Sequence, residues 1–168
     1  GDERYYWGLA LDLSRGDGIP SDIYLRPPLW GCMLSGVAAF TANPFYGRLL
    51  TTLLGAAAVP FLFRLGLKLF SLRAAVIASI IYSLYPNYVG FSHYLWSETM
   101  YTLLSVVAAC LFIEAFQGEV RPRMLCFLAG LMGLALLAKE AAVLSFAAAM
   151  LVALGIHFKK KALWLACA

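Results

Sequence analysis

The sequence predicts an all-α integral membrane protein with about five transmembrane helices and two short amphipathic interfacial helices in a first external loop. Three observations predict it. The 168 residues are 62% hydrophobic, with a mean hydropathy of +0.80, whereas water-soluble domains are roughly 45–50% apolar. The apolar runs after residue 43 are long enough to cross a bilayer and are separated by short charged turns. The basic residues gather at the ends of those runs, chiefly on alternate turns, as the positive-inside bias requires.

The elements follow in order. Residues 2–15 place Tyr5, Leu9 and Leu13 on one helical face, with Tyr6 and Ala10 beside them, the pattern of an amphipathic helix. Asp2 and Glu3 suit its positive N-terminal end, Arg15 suits its negative end, and Gly16 reads as the C-cap. Gly16, Asp17, Gly18 and Pro20 make residues 16–26 a loop. Pro27-Pro28 opens a second helix, and the apolar stretch 29–41 is too short to span. Residues 1–43 thus form the external loop and residues 44–168 the transmembrane helices of a single membrane domain. Spans are expected at about 45–70, interrupted by Pro60, at about 73–92 and at about 96–117. Residues 122–157 form one apolar run broken only by Lys139-Glu140. At ~1.5 Å per residue it exceeds the ~30 Å hydrocarbon core, so two spans meeting at that pair are expected. The chain opens in a polar loop and stops in an apolar run, which suggests a piece of a longer polypeptide.

Charge orients this multi-pass arrangement. Arg64, Lys68, Arg73, Arg121, Arg123 and Lys159 to Lys161 fall on one side, expected to be cytoplasmic. The net charge of +4 therefore reflects topology and does not point to nucleic acid. The four cysteines, Cys32, Cys110, Cys126 and Cys167, lie far apart in apolar runs and read as small hydrophobes. Tyr82, Tyr85, Tyr88, Tyr94, Trp96 and Tyr101 read as an interfacial belt, with sugar stacking as the alternative.

The opposite face collects Asp2, Glu3, Arg26, His93, Glu98, Lys139 and Glu140. Carboxylates deprotonate hydroxyls or bind metals. Arg and Lys hold phosphate. The set suits a phospholipid-like substrate with a reactive head. Plainer roles exist for each. Asp2 and Glu3 could satisfy a helix N-terminus, Arg26 could be a snorkelling anchor, and Lys139 could pair with Glu140.

Asp2-Glu3-Arg4-Tyr5-Tyr6 resembles the first external loop of the GT-C membrane glycosyltransferases. These include the protein O-mannosyltransferase family, the aminoarabinose transferases of lipid A and related lipopolysaccharide sugar transferases. Arg26-Pro27-Pro28-Leu29-Trp30 resembles their basic-Pro-Pro motif. Asn43-Pro44-Phe45-Tyr46-Gly47-Arg48 resembles the start of their next span, Ser97-Glu98-Thr99 their second-loop acidic motif, and Leu137-Ala138-Lys139-Glu140 their small-residue-then-basic turn. Arg4 departs in spacing from the aminoarabinose branch, and Glu98 stands where Asp is common. The resemblance covers the N-terminal part of such an enzyme. It implies transfer of a sugar from a polyprenyl-phosphate donor to an acceptor hydroxyl on the extracytoplasmic face of the cytoplasmic (inner) membrane. It implies Asp2 as catalytic base and Glu3, Arg26, Glu98 and Lys139 as substrate-binding residues, with membrane lipid as surroundings. No cofactor is required by the sequence, and a divalent metal is compatible with it. The alternative is a non-catalytic transmembrane scaffold subunit of a larger membrane complex. A transporter ranks last, because no internal repeat is present.

Overall fold

The computed structural model describes residues 2–18, 27–117, 122–144, 146–148 and 151. The described residues form helices and turns. The helices are α1 (Asp2–Arg15), α2 (Leu29–Ala38), α3 (Pro44–Leu69), α4 (Leu72–Leu84), α5 (Pro86–His93), α6 (Ser97–Gln117) and α7 (Pro122–Ala138).

Helix α1 ends where the sequence says it should. Gly16 adopts φ +87°, a left-handed conformation that side-chain-bearing residues resist. The Gly16 N–H donates to Leu13 O at 3.2 Å and the Asp17 N–H to Asp12 O at 3.1 Å, the paired bonds of a Schellman stop. Its buried face differs in phase from the expected one. Tyr6, Trp7, Leu9 and Ala10 are buried, while Tyr5 and Leu13 are only half-buried. The cause is α2, which packs along α1. Trp30 and Leu34 of α2 are fully buried in the same cluster as Tyr6, Trp7 and Ala10.

Helix α3 opens on a strong start signal. The Asn43 side chain accepts from the Phe45 N–H at 3.0 Å, and Pro44 follows at the first helical position, where its missing N–H costs nothing. The expected interruption at Pro60 is absent: the helix runs through it. Gly47 is where α3 passes beneath α1 and α2. A Cβ there would stand 2.9 Å from both Trp7 Cζ3 and Leu95 Cδ2, so only hydrogen fits.

Among the described residues, two helices, Pro44–Leu69 and a Ser97–Ala115 stretch of α6, are long and apolar enough to cross a membrane, or three if α4 and α5 together make one span. The single straight span expected at 73–92 is instead two helices, α4 and α5, bent by 52° at their junction. Pro86 explains the break. It cannot donate to the preceding turn, and it pushes Tyr85 into an extended conformation (φ −66°, ψ 121°). Helix α7 has 17 residues, or ~25 Å at 1.5 Å per residue, somewhat short of the ~30 Å core. The interruption expected at Lys139-Glu140 is present, as a turn over residues 139–141. The expected fifth crossing lies largely outside the described residues. Helices α1 and α2 have 14 and 10 residues, each shorter than the ~20 residues that cross a bilayer. Helix α3 packs most extensively against α6 and α4, and α7 packs mainly against α6.

Candidate functional site

A cleft of about 340 Å³ opens where α1, α6 and the end of α7 meet, lined by Asp2, Tyr6, Pro27, Ser97, Glu98, Lys139, Glu140 and Ala141. Local sequence places each charged group. Asp2 occupies the first turn of α1 and Glu98 the first turn of α6, the positive helix ends that favour carboxylates. Lys139 follows the last residue of α7, where its N–H still bonds Ala135 O at 3.0 Å. That is the negative end of a helix, which favours a cation.

Lys139 Nζ donates to Glu98 Oε1 at 2.6 Å, and each side chain is about one-third exposed (33% and 34%). Lys139 therefore reaches across to α6 instead of pairing with its neighbour Glu140, which is exposed. Tyr6 Oη donates to Ser97 Oγ at 3.5 Å, a long bond joining α1 to the start of α6. Ser97 and Thr99 are buried on either side of Glu98, and Thr99 Oγ1 donates to Phe91 O at 3.0 Å. Glu98 thus stands on a fixed helix start. Beneath the cleft, Ala138 joins Trp30, Leu95 and Met100 in the core cluster.

Glu3 is placed differently. Its Oε1 accepts from Arg48 Nε at 2.7 Å, which ties α1 to the first turns of α3 and leaves Glu3 off the cleft wall. Arg48 as its partner escaped sequence reasoning. Tyr6 and Ser97 are further cleft residues, and only the Ser97-Glu98-Thr99 motif hinted at one of them. Arg26 lies outside the described residues. His93 is exposed at the end of α5 and does not line the cleft. Among the described residues, no group of three or more His, Cys, Asp or Glu is placed to hold a metal ion.

Residues 26–168 match the family described as dolichyl-phosphate-mannose-protein mannosyltransferase. The chain belongs to that family. It is thereby a GT-C-type membrane glycosyltransferase sequence. The matched residues hold Arg26, Glu98 and Lys139, whereas Asp2 and Glu3 precede them. No curated protein and no solved structure matches the chain.

Proposed function

We propose that this dolichyl-phosphate-mannose-protein mannosyltransferase relative transfers a sugar from a polyprenyl-phosphate donor to an acceptor hydroxyl at the cleft, on the extracytoplasmic face. One observation carries the reading: Asp2, Glu98 and Lys139, far apart in sequence, line a single cleft. Asp2 takes the acceptor proton as the oxygen attacks the anomeric carbon. The bond from that carbon to the phosphate oxygen breaks, and the phosphate leaves with the electron pair. Lys139, with Arg26, meets the negative charge developing on the leaving group. Glu98 holds Lys139 at the cleft until the donor phosphate takes its place. The first turns of α1 and α6 add helix N-terminal potential that favours an anion. Glu3 serves from outside the cleft, fixing α1 through Arg48. The short helices α1 and α2 lie along the membrane surface. Activity measured with and without EDTA decides whether a divalent metal takes part.

Lys139→Ala in the full-length protein is expected to raise the donor KM about 10–100-fold, the worth of one charged hydrogen bond. Lys139→Arg keeps a cation and loses less. The assay is transfer from a polyprenyl-phosphate sugar in nanodiscs. An unchanged donor KM in Lys139→Ala would remove the phosphate role.

Sidedness has its own test. In a cysteine-free background, a single cysteine at Tyr94 is expected to react with an impermeant thiol reagent from outside, and one at Phe70 to be protected. Both positions are exposed on the protein and sit at opposite ends of the helices. The reverse labelling pattern would invert the orientation.

A further inference from the structure

The end of the bundle opposite the cleft carries a second charged cluster. Glu114 Oε1 accepts from Arg64 Nη2 at 2.7 Å and from Lys68 Nζ at 3.0 Å. One carboxylate oxygen thus serves two cations, and the cluster keeps a net positive charge. Arg64 remains 60% exposed, so much of its guanidinium faces outward. Arg73 and Arg123, both exposed, begin α4 and α7 at this same end.

Beside the cluster lies an apolar cleft of about 260 Å³ between α3, α6 and α7, whose walls include Leu65, Leu69, Ala109, Ile113, Leu128 and Met132. Leu65 and Leu69 directly follow Arg64 and Lys68 in sequence, and Ile113 directly precedes Glu114. The mouth of the cleft therefore lies at the same depth along the bundle as the ion cluster, and the cleft runs from there toward the middle of the bundle. Along α6 its wall extends from Ser105 to Ile113, ~12 Å at 1.5 Å per residue. Half of a bilayer's hydrocarbon core is ~15 Å. An acyl chain entering from the headgroup level fits that depth, and an excess of positive charge at the entrance fits a phosphate.

We infer that this face holds one anionic phospholipid, its phosphate at Arg64 and Lys68 and one acyl chain in the cleft between α3, α6 and α7. Glu114 competes with the phosphate for the same two cations and so sets the affinity.

Native mass spectrometry of the full-length protein in detergent tests this, with phosphatidylglycerol and phosphatidylcholine of identical acyl chains as probes. The wild type is expected to retain phosphatidylglycerol selectively. The Arg64→Gln/Lys68→Gln/Glu114→Gln variant removes the cluster without stranding a carboxylate, and should weaken phosphatidylglycerol about 30-fold. Glu114→Gln alone should tighten it. Ala109→Phe fills the cleft, leaves every charge in place, and should also lower retention. Equal retention of the two lipids by the wild type overturns the inference. So does phosphatidylglycerol binding that Ala109→Phe leaves unaltered, because the cluster would then be an unspecific surface attraction or the cleft would be covered by another segment.

Discussion

Asp2→Asn is expected to lower sugar transfer by the full-length protein ~10²–10⁴-fold, the usual worth of a positioned general base, with expression and membrane insertion unchanged. The substitution suits the question. Asn has nearly the same shape, still accepts hydrogen bonds at a helix N-terminus, and cannot take up a proton. Asp2 precedes the matched residues 26–168, so the family match itself does not reach it. What ties it to Glu98 and Lys139 is the cleft wall they share. Turnover at the wild-type rate would remove the catalytic role of Asp2 and assign the proton to another acceptor.

Trp30→Ala should produce the largest loss of stability, ~3–5 kcal/mol for deleting a fully buried Trp side chain. Trp30 is 0% exposed and joins α1, α2, α6 and Ala138 in one cluster. Among the described helices, α1 packs extensively only against α2. Loss of the indole should therefore loosen the support of Asp2 as well as the fold. Thermal unfolding in detergent reads the first effect and residual transfer activity the second. Trp30→Phe should cost much less. It keeps most of the ring volume, and the indole N–H it removes has no acceptor among the described residues. Equal losses in the two variants would contradict this account of the cluster.

Much of this was legible in the chain, and the exceptions have physical causes. Helices α3 and α6 were readable because a bilayer demands long apolar runs, and the break at Lys139 because charge cannot hide inside one. Family motifs nominated Asp2, Glu98 and Lys139 from three distant stretches, and the cleft brings them together. The bend at Tyr85 was missed although Pro86 signals it: hydropathy stays high across 73–92 and averages over a single backbone defect. The phase of α1 was misjudged because its buried side is chosen by α2, a partner that periodicity within one helix does not reveal. The Glu3–Arg48 pair joins two exposed-looking charges 45 positions apart, and nothing local in either segment foretells it.

The uninterrupted run of α7 from Pro122 to Ala138 makes the position of Lys139 a matter of counting. Each helical residue turns the next side chain by about 100° and advances it ~1.5 Å. One residue inserted within α7 would swing the ammonium group away from Glu98 without altering any named residue. The same insertion between Ala39 and Asn43, the link between α2 and α3, lies outside any helix and leaves that phase untouched. Length changes should therefore accumulate in that link and be purged from α7, a constraint visible in gaps instead of substitutions.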